Sequence, residues 1–475
     1  MKNFYLITLF ALFIFSCAKD EPAEEKKMEP ETTTPPVVET PDDTTDNNND
    51  PTVAGFLYTS TNGEGINQIL KLERLSDGSL VNEVAYATET IGGANTAAGG
   101  DAFGDFDSQG AIQIIGDYLL NVNAGGNSIS VFSIDRPTGD LTLIGNTDSN
   151  GERPVSISFT LKAGSTDQYW VAVGNQWNNP NVQKDGEAIE RYPNDEFHAL
   201  DLTAQDASDE NRNLALFSFD ATSGALSFEK KLATYVRENG GPTCVVFSDD
   251  GTKISVSTWG IAHFGTQNTS LEEQHSSRIY VYDFSNGEVS GERYFEEEGI
   301  AGSIGQNWAK DNNSVLHVSN FNLIPTKRDN SLTVLMDNGT EVTKVANYNT
   351  VEADDIDEAC WTILNPDGDK LYVSSFGANA ISIFDIGSDG LVTSTSPVVL
   401  KRSDFAPAGD TKDMFITSDN SFMYVIGAFQ SFSINRFDLS SSGGEYVSQT
   451  TYETTKVSVG TPGVYNFLGL IGYDL

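Results

Sequence analysis

Seven polar or aromatic residues stand at or near the starts of short apolar runs: Arg153, Gln306, Trp308, Glu358, Trp361, Lys412 and Asp413. Their side chains could bind and turn over a small oxygen-rich molecule. The guanidinium fork of Arg153 can hold a carboxylate by two parallel bonds. Glu358, or Asp413 beside Lys412, becomes a general base if burial raises its pKa. Arg153, Glu358 and Asp413 are therefore the candidate catalytic residues, and Gln306, Trp308, Trp361 and Lys412 the candidate ligand-binding residues. The competing reading is structural: an Arg and a Glu at such places also pair with each other or with backbone, and Trp361 also suits packing between repeated units.

The elements that position these residues repeat along the chain. Asn123 to Asp135 is followed by Thr138-Gly-Asp-Leu141; Leu371 to Ile386 is followed by Asp389-Gly-Leu391; Ser276 to Asp283 leads into Asn286-Gly-Glu288. Short strands of period two bounded by Gly, Asn and Asp predict antiparallel hairpins. A recurrence of roughly 45 to 60 residues with about four strands predicts propeller blades. The fold class is all-β, a seven-bladed propeller of four-stranded antiparallel blades. Innermost strands are expected to begin near Gly110, Pro154, Pro242, Gln306, Cys360 and Lys412. The first unit, Gly55 to Thr88, lacks one, and the apolar run Gly463 to Tyr473 is expected to complete it and close the ring. No long stretch keeps a helical period of 3.6 residues. Asn123 and Asn127 are expected to shape their turn by bonding backbone.

At this point the residues resemble the lactonase-type seven-bladed propellers, which include bacterial 6-phosphogluconolactonases and fungal carboxymuconate cyclases. The resemblance rests on Asn123 to Phe132, Gly151-Glu-Arg-Pro-Val-Ser-Ile-Ser158, Pro242 to Gly251 and Ala359 to Gly368 with the Leu-Tyr-Val-Ser that follows. It implies an active site of His, Arg and Glu at the mouth of the central channel. The comparable place here reads Gly241-Pro242-Thr243-Cys244, without histidine. His198, His263 and His275 lie in inserted segments and His317 in the apolar strand Val315 to Val318.

Two insertions interrupt the repeat, near 178–212 and 260–277. The first holds Asn178, Asn179, Arg191, Tyr192 and His198, with Trp177 just before it; the second holds His263 and His275. Loops added to a rigid scaffold often carry function. Two histidines without fixed spacing do not define a metal centre. Calcium could be held by Asp354-Asp355-Ile356-Asp357 or by Asn365 to Asp369, but neither has EF-hand spacing, and the sequence requires no cofactor. Cys244 and Cys360 fall on strands two units apart and are expected to be buried free thiols.

The amino terminus supplies an address. Met1 to Asn3 carries one positive charge, Phe4 to Phe15 is mostly apolar, and Ser16-Cys17 follows. This reads as a secretory signal peptide, too short to span a bilayer. Its end resembles a bacterial lipobox, which implies cleavage before Cys17 and lipid attachment there. Lys19-Asp20-Glu21 resembles a surface-export signal, so an outer-membrane anchor facing the cell exterior is expected, with the periplasmic face as the alternative. Ala18 to Pro51 is a Glu-, Thr-, Pro- and Asp-rich tether that cannot bury a core; as a flexible coil it spans ~32 Å. The domain expectation is thus 1–16 signal peptide, 17–51 anchored tether and 52–475 propeller.

The net charge is −40, most of it on the propeller. Nucleic acid is excluded as a partner, because a phosphate backbone needs a basic patch. The expected partners are the membrane, through lipidated Cys17, and a small-molecule, glycan or protein ligand. Two functions stay open: a binding module with its ligand at the channel mouth, or a lactonase- or cyclase-like enzyme acting on an extracellular lactone or related carboxylated ring compound. A phosphorylated sugar lactone is cytoplasmic and does not suit the address.

Overall fold

The computed structural model describes residues 50–62, 65–93, 108–176, 211–236, 239–260, 276–321, 331–351, 358–394, 396–401, 411–427, 433–439, 449–453 and 467–475. The signal peptide, the tether and nearly all of both insertions lie outside them, as do Trp177, Arg191, His198, His263, His275 and Asp354 to Asp357. The described strands form seven four-stranded antiparallel sheets. Their innermost strands neighbour one another in sequence order and close into a ring. From blade 2 to blade 7 these strands are Ile112–Ile115, Pro154–Leu161, Pro242–Phe247, Ser303–Ala309, Ala359–Leu364 and Thr411–Ile416. Each begins within three residues of its expected start. In blade 1 the innermost strand is Leu468–Asp474, paired antiparallel with Val53–Ser60. The carboxy-terminal strand therefore closes the ring as expected, and no α-helix occurs among the described residues.

Local sequence explains the hairpins. Asn286 and Gly287 take φ of 48° and 82° between Ile279–Ser285 and Glu288–Phe295. Two positive φ values in a two-residue loop match the twist of the flanking strands. Gly139 (φ 69°) is needed for a second reason: a Cβ there would lie 2.4 Å from the Phe56 ring of the neighbouring blade. The Tyr58 hydroxyl donates to the Gly139 carbonyl at 2.7 Å, so an aromatic of blade 1 carries the outer turn of blade 2. Tyr424 of blade 7 does the same for Gly78 of blade 1.

The core is distributed between blades. Trp259, Ile304, Phe321, Trp361, Tyr372 and Met414, drawn from blades 4 to 7, belong to one buried cluster. Each fully buried large apolar side chain is worth about 1.5–3 kcal/mol. Buried polar ties run through the same layer: Asn320 Nδ2 donates to Thr333 Oγ1, which donates to Asn347 Oδ1, both at 2.9 Å. Asn123 plays the corresponding part in blade 2, bonding the Ser130 hydroxyl and the Asn67 amide of blade 1. Asn127 Oδ1 accepts from the Arg153 amide of blade 3. Asn123 and Asn127 thus join strands and blades, where the sequence suggested local turn bonds, because the turn brings both amides against a neighbouring sheet.

On the face opposite the strand starts, short turns interlock. The Asp311 amide donates to Asp249 at 2.8 Å, Asn420 Nδ2 to Asp367 at 2.8 Å, and the Ser418 amide to Asp474 at 2.9 Å. Asp474 also pairs with Arg74, so the closing strand is latched to blades 7 and 1 together. Cys244 and Cys360 are buried and form no disulfide, as expected.

Blades 4 and 5 share a buried ion cluster. Arg293 grips both Asp337 oxygens, at 2.5 and 2.6 Å, and Lys253 reaches the same carboxylate at 2.6 Å. Burial alone would raise the Asp337 pKa, but bonds from Arg293 and Lys253 outweigh it and hold the carboxyl below its usual range. Asp337→Ala takes from buried Arg293 and half-buried Lys253 the carboxylate they share, leaving Arg293 only the Asp283 carboxylate, and should cost about 3–5 kcal/mol. Because the folded-state pKa is depressed, the contribution is present above about pH 4 and is lost on acidification. Urea unfolding of wild type and variant at pH 7 and pH 3 checks this: the difference should be large at pH 7 and shrink at pH 3.

Candidate functional site

The mouth of the channel is built from the starts of the innermost strands. There the last carbonyl before the strand receives the amide that follows the second strand. Arg153 O accepts from Gln176 N at 2.9 Å in blade 3, and Glu358 O from Phe376 N at 2.9 Å in blade 6. Gly241 and Gly302 hold the same place in blades 4 and 5. Gly302 takes φ of 70°, as its lack of Cβ allows; Arg153 takes 56° and Glu358 takes 48°. A left-handed backbone at non-glycine residues is costly, and such positions cluster at functional sites. Arg153 and Glu358 are half-buried and three blades apart.

Blade 7 contributes Lys412 and Asp413. Lys412 is fully buried, with its ammonium 5.3 Å from the centre of the Trp361 ring. Trp361 is itself fully buried, and its indole donates to Ser108 O at 2.7 Å. Asp413 lies between the blade 7 and blade 1 inner strands. Its carboxylate accepts the amides of Met414 at 2.8 Å and Leu470 at 3.0 Å. Although Asp413 keeps some exposed surface, burial of its carboxyl pushes the pKa up to about 7 against the pull of those two amides and Lys412. Such an acid can exchange a proton near neutrality.

Gln306 and Trp308 are committed to the blade 4 edge. Gln306 Nε2 donates to Cys244 O at 3.0 Å and the Trp308 indole to Val246 O at 3.2 Å. Both are buried. Burial raises the Cys244 thiol to about 12, leaving it unreactive.

A further group was not legible as a site. Ser108, Gln109 and Gly110 enter the channel ahead of the blade 2 inner strand and bond blades 3 to 6. Ser108 Oγ donates to Val155 O at 3.0 Å, and Ile157 N to Gly110 O at 2.8 Å. Gln109 N donates to Thr243 O at 3.2 Å and Gln109 Nε2 to Gln306 O at 3.0 Å, while Gln109 Oε1 accepts from Thr362 N at 2.8 Å. The one sequence signal was position: Gln109-Gly110 precedes an innermost strand, as Arg153 and Glu358 do.

His317 lies in the second strand of blade 5, fully buried, its Nε2 at 2.8 Å from Gly390 O; burial lowers its pKa to about 4. It is not at the mouth. The Asn365 to Asp369 turn satisfies its own oxygens: Asn365 Oδ1 accepts the Lys370 amide, and Asp369 accepts from Asn365 Nδ2. Asp249, Asp250, Asp311, Asn312 and Asn313 line a cleft of about 320 Å³ on the face opposite the mouth. Among the described residues no three His, Cys, Asp or Glu side chains are arranged to hold a metal.

Residues 71–182 match the family model described as "Lactonase, 7-bladed beta-propeller". No curated protein matches the sequence. Among solved structures, the periplasmic gluconolactonase of Pseudomonas aeruginosa aligns at 14% identity with a TM-score of 0.55, covering 88% of this chain and 99% of that one. A provisionally assigned 6-phosphogluconolactonase from Bacteroides fragilis aligns at 12% identity and TM-score 0.53, covering 88% and 98%. Another such protein, from Bacteroides uniformis, aligns at 14% and 0.54, covering 88% and 100%. These likenesses concern the fold. With seven four-stranded blades closed by the last strand, the chain is a seven-bladed β-propeller, and its first blades are similar to the lactonase-type family.

Proposed function

We propose that this protein is a lipid-anchored, extracytoplasmic propeller that binds a small carboxylated or lactone-ring ligand at its channel mouth. The observation that carries this reading is the pair Arg153 and Glu358, both in left-handed backbone at equivalent strand starts across the ring. Arg153 suits a carboxylate or polarised ester oxygen, and Glu358 accepts hydroxyl donors. The absence of histidine among the described residues at the mouth favours binding over the family's chemistry. The address rests on the Phe4 to Cys17 segment, and the gluconolactonase of Pseudomonas aeruginosa is a periplasmic protein of the same fold.

A second reading has its own support. Asp413, poised near pH 7, could activate water against a lactone carbonyl, with Lys412 steadying the carboxylate. This makes the protein a lactonase of an external lactone.

Calorimetric titration of the full chain with D-glucono-1,5-lactone, D-gluconate and γ-butyrolactone should detect binding by at least one. Arg153→Ala or Glu358→Ala should weaken it about tenfold or more, the loss expected of a charged contact, in variants shown by circular dichroism to be folded; undiminished affinity in both variants defeats the mouth site. If Asp413 is the base, proton release from a lactone rises as pH passes 7 and vanishes in Asp413→Asn. That variant carries a stability readout too. A carboxyl whose folded-state pKa is raised loses stability as pH climbs from about 4 through 7, so wild type should lose stability relative to Asp413→Asn between pH 4 and pH 8. Finally, Cys17→Ser should move the protein from the membrane to the soluble fraction; membrane retention would remove the lipid anchor.

A further inference from the structure

Innermost strands in a propeller show one unpaired edge to the axis, and blades normally touch only their ring neighbours. Here Ser108–Gly110 changes both. On the blade 3 side, Ser108 Oγ bonds Val155 O, Ser156 Oγ donates to Gln109 O at 2.6 Å, and Ile157 N bonds Gly110 O. These groups lie two to four residues beyond Arg153. On the blade 6 side, the Trp361 indole bonds Ser108 O, and Thr362 donates to Gln109 Oε1 through its amide at 2.8 Å and its hydroxyl at 3.2 Å. These groups lie three and four residues beyond Glu358. Between them, Gln109 bonds Thr243 O of blade 4 and Gln306 O of blade 5. A Cβ at Gly305 would come within 2.5 Å of Gln109 Oε1, so the blade 5 strand is bare where the amide passes.

We propose that Ser108–Gln109–Gly110 is a cross-channel brace whose span sets the gap between Arg153 and Glu358, which makes Gln109 a positioning residue for the mouth. The ligand half of this proposal rests on the binding reading above; the brace itself does not. Its chemistry fits the task. A glutamine amide offers a donor and an acceptor at one end of a two-carbon stem, so a single side chain satisfies a carbonyl of blade 5 and an amide of blade 6. Leucine has similar volume and can do neither. The consequence for specificity is that the mouth is tuned to the length of the acid it holds, since the carboxylate and the far hydroxyl must reach two residues held at a fixed separation.

Two measurements test this on the full chain. In a Cys17→Ser background, with Cys244 and Cys360 buried, spin labels at Glu152→Cys and Ala378→Cys report the distance across the mouth between blades 3 and 6. A single narrow distribution is expected in this background, and a broadened or shifted one on adding Gln109→Leu; an unchanged distribution overturns the brace. If Gln109→Leu fails to fold, Ser108→Ala, which removes the bond to Val155 O and keeps Gln109, should show the smaller change in the same direction, and no change overturns the brace. Without labels, affinities are compared for D-glycerate, D-threonate and D-gluconate, acids of rising length. Gln109→Leu should change the ratio of their dissociation constants about tenfold, the effect of misplacing one charged contact. Parallel weakening with constant ratios reduces Gln109 to a structural role and overturns the positioning claim. If wild type binds none of the acids, that claim falls with the binding reading, while the distance measurement still judges the brace.

Discussion

The unpaired inner edge of each sheet is the constraint on which this molecule turns. Seven blades point seven rows of backbone amides and carbonyls at a common axis, and buried backbone groups must find partners. Part of the solution is Ser108–Gly110, which answers carbonyls of Val155, Thr243 and Gln306 and the amide of Thr362. Another part is the Asp413 carboxylate, which answers Met414 and Leu470. The same need therefore fills the axis with polar side chains and creates the one acid described here that titrates near neutrality.

Ring closure obeys a related logic. A propeller strip has two free edges until its ends meet, and the chain joins them by giving blade 1 its innermost strand from the far terminus. The seam is reinforced at both ends: Asp413 bonds Leu470 near the mouth, and Asp474 bonds Ser418 and Arg74 on the opposite face. The ion cluster of Asp337 with Arg293 and Lys253 shows that an ordinary inter-blade boundary can also be tied by charge where apolar packing ends.

The blade pattern was readable because it is local: period-two strands and turn residues such as Asn286-Gly287 fix hairpins without reference to distant sequence. The closing strand was readable by subtraction, as an apolar run with no blade of its own. The mouth was readable only in part. Arg153, Glu358 and Asp413 were proposed from their place before or within innermost strands, but the shared left-handed backbone of the first two shows only in the folded chain. Gln306 and Trp308 looked identical in sequence to ligand contacts; that both are buried, with their donors given to blade 4 carbonyls, shows only in the folded chain. Gln109 was silent because its partners lie 47 to 253 positions away in the chain, where no period or spacing can register it.

The brace also bears on assembly. A polar segment encircled by seven blades must shed its water as it enters the axis, and its replacement partners come from four separate blades. Entry into a finished ring would strip that water through a narrow opening before the partners are reached. Blades 3 to 6 gathering around Ser108–Gly110 while the ring is still an open arc avoids that barrier. On that route the segment would template curvature, and the seam between blades 7 and 1 would be the last joint made.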